Sequence, residues 1–333
     1  MREKTIGIAR GLYYYMYYPM WKKFFLELGT KVIVSPPTNK RIMDLGVAYS
    51  VDDICISVKV YHGHVKYLLD RNVDFIFVPR IVSEEKHKEN CPKLLSLPDL
   101  IRDTFSIEES RILSPELYFN WNRAKTEKEM FKIGVLLSNK TRKEIKSIIR
   151  KSLAFQKTYE YYLNRGYNTL ELYPRLTNLK KLKPKKMKSG ILIGIVGFPY
   201  DIYDGYLNAS ILDKLKKMGI NYVVSNMLNY KLINRSYKFL NKDLFWHQSN
   251  VALKAGLYFL SSKDIDGVIT ISSFGCGLSA IYTKLLDIFN KERNKKPLIH
   301  LVIDEQTGEA GILTRLEAFL DLLKIRKGRE IYV

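Results

Sequence analysis

Short apolar runs alternate along the chain with stretches of helical spacing. The run Thr5-Ile-Gly-Ile-Ala9 predicts a strand. A loop rich in Gly and Tyr follows and ends at Pro19, a residue suited to the first turn of a helix. Apolar positions then recur at helical spacing over 20–28, Gly29 stops the helix, and Lys31-Val-Ile-Val-Ser35 is a β-branched strand before Pro36-Pro37. The chain thus opens with a β-α-β unit. Helices are expected from about Asn39 and over about 53–70, followed by a strand over 73–78. Residues 83–98 are polar and irregular, which places Cys91 on a loop, and residues 125–165 predict a helical connection without strands.

The second half alternates more regularly. Strands are expected over 191–196, 221–225, 267–272 and 298–303, and helices over 209–218, 246–260, 278–289 and 312–323. Parallel strands need crossovers that cover both sheet faces, so this alternation predicts α/β architecture with doubly wound parallel sheets. The expectation is two flavodoxin- or Rossmann-like domains, 1–120 and 189–333, joined by a helical connector and basic linker over 121–188. The two halves read as distant versions of one unit.

Composition narrows the function classes. With 46% hydrophobic and 27% charged residues the 333-residue chain is globular rather than disordered. No apolar run approaches the ~20 residues of a membrane span, and the start shows no secretory pattern, so a cytoplasmic protein is expected. Lys and Arg outnumber Asp and Glu by 55 to 34, a net charge of +21 that favours anionic partners. The excess is densest at Lys180, Lys181, Lys183, Lys185, Lys186 and Lys188, beside Pro184, as in a solvated linker.

Three cysteines, Cys55, Cys91 and Cys276, are too few and too far apart for a disulfide framework. All three fall on the carboxyl-end side of the predicted sheets, where such folds gather ligands. Cys276 opens a helix directly after a strand, and Cys55 stands two residues after Asp53, a candidate N-cap. Cys91 precedes Pro92, as cluster-ligating cysteines do in ferredoxins. If the three converge, their thiolates suit a 4Fe-4S cluster with one iron left open. If they do not, each is a small buried hydrophobe.

Rival chemistries use the same residues. A Cys3His zinc site would take His62 or His64 as its fourth ligand, although zinc sites usually keep two ligands within a few residues. Gly275-Cys-Gly277-Leu-Ser-Ala280 fits a dinucleotide-binding turn, with Asp304 ending the next strand. No phosphate-binding P-loop occurs, so an ATP-driven step needs a partner. Tyr13, Tyr14, Tyr15, Tyr17 and Tyr18 could stack on bases, but their spacing fits no nucleic-acid module and a buried loop at a domain junction suits them better.

Several longer runs carry a family resemblance. They are Gly11-Leu-Tyr-Tyr-Tyr-Met-Tyr-Tyr-Pro-Met-Trp21, Ser35-Pro-Pro-Thr-Asn39, Val58-Lys-Val-Tyr-His-Gly-His64 and Val78-Pro-Arg-Ile-Val82 leading to Cys91-Pro-Lys93. Phe274-Gly-Cys-Gly277, His300-Leu-Val-Ile-Asp-Glu-Gln-Thr-Gly-Glu-Ala-Gly311 and Thr314-Arg-Leu-Glu-Ala-Phe319 complete the set. Together they resemble the acyl-CoA dehydratase activase-related proteins, relatives of 2-hydroxyacyl-CoA dehydratase subunits and double-cubane cluster proteins.

The resemblance implies an iron-sulfur protein of anaerobes with a 4Fe-4S cluster held by Cys55, Cys91 and Cys276 at a domain junction, with the possibility of a double cubane across a dimer. It also implies a homodimer or a heterodimer with a related subunit, and a separate ATP-dependent iron-sulfur activator. Low-potential electrons from that activator would drive 2-hydroxyacyl-CoA dehydration or the reduction of a small molecule. CoA thioester is the implied substrate class, with no residue assigned to bind it, and Glu305, Glu309 and Arg315 are candidates to serve the site or to hold the last loop. Ser57 stands where the family has Pro and Gln306 where it has His. The rival in another class is a non-catalytic iron-sulfur partner or cluster scaffold of a larger reductase.

Overall fold

The computed structural model describes residues 3–119, 121–185, 189–230, 233 and 242–330. Lys186 and Lys188 of the basic run lie outside the described residues. The chain divides into two units, one of 1–161 with 172–181 and 245–247, the other of 162–171, 182–244 and 248–333. The helical segment after residue 121 forms helices Arg123–Leu137 and Arg142–Leu163 and counts largely with the first unit.

The first unit is built on β1 (Thr5–Ile8), β2 (Lys31–Val34), β3 (Phe75–Phe77) and β5 (Ile112–Leu113), in the order β2-β1-β3-β5. All pairings are parallel. A second, two-stranded parallel sheet pairs β4 (Arg80–Ser83) with β6 (Glu116–Tyr118). Strands β4, β5 and β6 fall where the sequence pattern predicts none, because two- to four-residue strands are too short to show a period.

Helix α1 spans Tyr14–Leu28 and so begins before the expected start at Met20. Pro19 lies inside it rather than in its first turn, and removes one internal hydrogen bond. Aromatic burial offsets that cost. Tyr14 packs on Tyr18 and Tyr173, and Tyr17 stacks on Phe119 with ring centroids 4.4 Å apart. Tyr13 to Tyr18 are therefore core residues of one helix and its entry, not a loop.

Helices α2 (Lys40–Ala48) and α3 (Ile56–Leu69) cross with their backbones in contact. Two glycines allow it. A Cβ on Gly63 would lie 2.0 Å from the Ile42 carbonyl oxygen, and one on Gly46 would lie 2.3 Å from that of Lys59. Asn39 caps α2 by accepting a hydrogen bond from the Ile42 N–H at 3.1 Å.

The second unit holds β7 (Leu192–Gly197), β8 (Asn221–Val224), β9 (Gly267–Ser273) and β10 (Leu298–Ile303), all parallel in the order β10-β9-β7-β8. Counting only its own strands in chain order, each four-stranded sheet runs 2-1-3-4. The strands β7 and β9 are central and nearly all buried, which is why they read as unbroken apolar runs. No helix among the described residues is long and apolar enough to cross a membrane.

Candidate functional site

In a parallel sheet of order 2-1-3-4 the chain reverses direction across the sheet between its first and third strands, and ligands gather beyond their carboxyl ends. In the first unit that place lies after β1 and β3, and in the second after β7 and β9.

After β1 the chain turns through Leu12 at φ 51° into Tyr13, the residue before α1. The Arg10 N–H donates to the Ser35 hydroxyl at 2.8 Å, and the Arg10 guanidinium donates to the Ser35 carbonyl at 3.1 Å. Behind it, Nε2 of His64 lies 3.1 Å from the Thr38 hydroxyl. His64 is fully buried, and burial, helped by the neighbouring Arg10 cation, pulls its pKa down to about 3. The ring is neutral at neutral pH. His62 is buried too, its Nδ1 lying 2.8 Å from the Val58 carbonyl, so neither histidine is on the helix surface.

Cys55 is the N-cap residue of α3, half-buried, and its carbonyl accepts from the N–H groups of Val58 and Lys59 at 2.9 and 3.2 Å. Asp53 lies before that cap and is not itself the N-cap. One turn along, Lys59 is only 3% exposed, an unusual burial for a lysine.

Cys91 ends the loop that follows β4, as expected, and stands immediately before a short helix. It is the half-buried N-cap residue of the one-turn helix Pro92–Leu95, with Pro92 where a missing N–H costs nothing. The Tyr13 hydroxyl is buried without a hydrogen-bond partner. Its pKa is pushed well above the ordinary value by burial, then by the nearby charges of Glu84 and Cys91. Glu84 is 4% exposed and accepts a 2.6 Å hydrogen bond from the Tyr17 hydroxyl. Tyr13 and Trp21, whose indole N–H also lacks a partner, line a cavity of about 10 Å³ between the ends of β1 and β3, room for about one water.

In the second unit Gly275 takes φ +72° to turn the chain out of β9, and Cys276 is the half-buried N-cap residue of helix Gly277–Phe289. The left-handed turn explains the glycine before the cysteine. The Cys276 carbonyl accepts from the Ala280 N–H at 3.1 Å and from the Ser279 hydroxyl at 2.9 Å. Across the strand-order reversal, Asp201 of helix Pro199–Tyr203 is fully buried and accepts a 2.7 Å hydrogen bond from Ser273, the last residue of β9. Burial raises the Tyr282 hydroxyl well above its ordinary value, with Asp201 and Cys276 adding to it.

The Asp304–Gly311 run is a tight turn into the last helix, Glu309–Glu330. Asp304 accepts from the Gln306 N–H at 2.9 Å and from the Thr307 hydroxyl at 2.6 Å, and Glu309 pairs with Lys214 at 2.5 Å. These contacts give Asp304 and Glu309 structural work in holding the last loop.

All three cysteines thus share one local geometry, a half-buried N-cap position with a buried tyrosine hydroxyl close to two of them. Cys55 and Cys91 belong to the first unit and Cys276 to the second. Among the described residues no group of three or more His, Cys, Asp or Glu side chains could hold a metal ion. Sequence reading missed Tyr13, Lys59, Glu84, Asp201 and Tyr282 as neighbours of the cysteines. For Asp201 a signal existed, since Gly197-Phe-Pro-Tyr-Asp201 directly follows an apolar strand.

No curated protein matches the chain. A family described as the CoA enzyme activase uncharacterised domain (DUF2229) matches residues 5–228, which takes in the whole first sheet, Cys55, Cys91 and the first two strands of the second sheet, and stops before Cys276. With the match covering more than half of its length, the chain belongs to the CoA enzyme activase uncharacterised domain family.

Proposed function

We propose that this chain is a cytoplasmic iron-sulfur protein that holds a 4Fe-4S cluster through Cys55, Cys91 and Cys276 and takes low-potential electrons from an ATP-dependent activator. The observation that carries the reading is the shared placement of every cysteine in the chain, half-buried at a helix N-cap. The donor chemistry fits the group. Three soft thiolates suit iron-sulfur ligation, and the dipoles of the longer helices at Cys55 and Cys276 favour an anionic cluster. The unpartnered Tyr13 hydroxyl beside Cys91 offers a hydrogen bond to a thiolate or sulfide. The reading requires the three thiolates to meet on one cluster. It is supported further by the repeated 2-1-3-4 strand order, the beginning of the flavodoxin-type order, which suits two related domains.

Bound there, a cluster with three protein ligands supplies one-electron chemistry and an iron open to an oxygen- or sulfur-bearing substrate group. The chain's own residues set its surroundings. Lys59 and Arg10 place positive charge in the first unit, where buried Tyr13 and Tyr17 keep the start of α1 apolar, and buried Tyr282 does the same beside β9 in the second unit. A chain of this family without a P-loop suits the electron acceptor, with ATP hydrolysis left to the partner. Reductive dehydration of a 2-hydroxyacyl-CoA is the reaction class this reading favours.

The test is anaerobic purification followed by iron and sulfide quantitation, with Cys55→Ala, Cys91→Ala and Cys276→Ala beside the wild type. Turnover of a 2-hydroxyacyl-CoA with activator, ATP and reductant then tests the reaction. A loaded protein that neither accepts electrons from the activator nor binds CoA thioesters would be a scaffold instead.

A further inference from the structure

Helix Gly277–Phe289 carries two apolar stripes, and its own unit uses one. Ser279, Tyr282, Leu286 and Phe289 are buried. The residue before each of these is also apolar: Leu278, Ile281, Leu285 and Ile288, about 100° further round the helix. These four follow a spacing of three, four and three, and Phe274, in the turn two residues before the N-cap, adds exposed apolar surface near the same end of the helix. Phe274 is 66% exposed, Ile281 42% and Ile288 38%, with Leu278 and Leu285 part-exposed. Only the third face, with Ala280, Lys284 and Asp287, is that of an ordinary solvated helix. One apolar stripe suffices to seat a surface helix on its sheet, and alternating spacings of three and four are those of a helix-pairing seam.

We propose that this second stripe is the two-fold interface of a homodimer, in which the Gly277–Phe289 helices of two copies pack antiparallel. The proposal does not rest on the iron-sulfur reading. Self-pairing is argued first from register. With the two-fold axis level with Thr283, Leu278 of one copy meets Ile288 of the other and Ile281 meets Leu285, so each of the four helical seam positions finds an apolar counterpart. The second argument is area. The exposed fractions of the five residues amount to on the order of 400 Å² of apolar surface. A stable interface buries about 800 Å² per partner, somewhat over half of it apolar, so these five residues supply about half of the total, and polar residues flanking the helix make up the rest. Antiparallel pairing leaves the two Cys276 residues at opposite ends of the seam, about 20 Å apart along the helix axis, so each copy keeps its own.

Charge gives the proposal a distinctive signature. Each copy carries a net +21, and Lys284 of each lies beside the axis, so apolar pairing works against like-charge repulsion. Added salt screens that repulsion and tightens the dimer, whereas docking of an acidic protein on the same stripe would weaken with salt.

Sedimentation velocity on the full chain, under thiol-reducing anaerobic conditions, tests it. The expected result is a monomer–dimer equilibrium at micromolar protein that shifts towards dimer as salt rises. Ile281→Glu and, independently, Ile288→Glu should weaken it ~10-fold or more with unchanged circular dichroism, and Lys284→Ala should strengthen it. Two exposed positions guard against a variant that fails to fold. A wild type that stays monomeric at all salt concentrations would overturn the proposal, as would a dimer that both glutamate variants leave intact or one that salt dissociates.

Discussion

Tyr13 and Tyr17 stand one turn apart and are both buried, yet their hydroxyls have opposite circumstances. Tyr17 donates to Glu84 at 2.6 Å, while Tyr13 has no partner. Removing a hydrogen bond to a buried carboxylate strands the acceptor, whereas removing an unpartnered hydroxyl removes only a desolvation cost. Tyr17→Phe is therefore expected to lower stability by roughly 1–3 kcal/mol, and Tyr13→Phe to leave it unchanged or raise it slightly, by urea denaturation of the metal-free protein. His64 gives a second test at this scale. Its pKa is held at about 3 in the folded chain against an ordinary 6.5, so between those values the unfolded chain binds a proton that the folded chain does not. Stability from this residue is intact above about pH 6.5 and is lost progressively as pH falls, by roughly 2 kcal/mol at pH 5. Buried His62, also lowered, adds to the same slope. His64→Gln should flatten the decline between pH 7 and 5, and an unchanged slope would mean that His64 is not buried neutral.

Among the elements, α3 depends on two glycines that no hydrophobic pattern explains. Gly63 separates two histidines in the sequence, and the eye goes to the imidazoles, but the glycine is what lets α2 reach the α3 backbone. Overpacking such a contact costs roughly 1–3 kcal/mol or more. Gly63→Ala should lower the urea midpoint clearly, and if Cys55, which α3 presents at its N-cap, holds the proposed cluster, the same change should reduce iron retention. The longer strands and most helices were legible because burial on one or two faces stamps a period on the sequence, as in β7, β9 and helix Gly277–Phe289. The early start of α1 was not, since Pro19 and a run of tyrosines imitate a loop until their packing on Phe119 and Tyr173 is known. Strands β4 to β6 were too short to carry a period. The cysteines' helix-start positions were legible at Cys55 and Cys276, but at Cys91 the one-turn helix hid behind polar flanks. Their neighbours Glu84 and Asp201 come from other parts of the chain, and no local pattern announces them.

For the whole molecule, two parallel sheets of the same strand order each bring at least one N-capping cysteine to the carboxyl-end side, and at each of the three caps Ser, Thr, Asp or Asn would cap better than cysteine. That mismatch between what the local fold prefers and what the chain supplies is the reason to assign the thiols chemistry. The most direct test is iron and acid-labile sulfide quantitation of the anaerobically purified chain and its three Cys→Ala variants, with EPR of the reduced forms. The account predicts about four irons and four sulfides per wild-type chain, and loss of the cluster signal in each variant. A folded, colourless wild type that cannot be reconstituted, or a full complement of iron retained in any one variant, would contradict it.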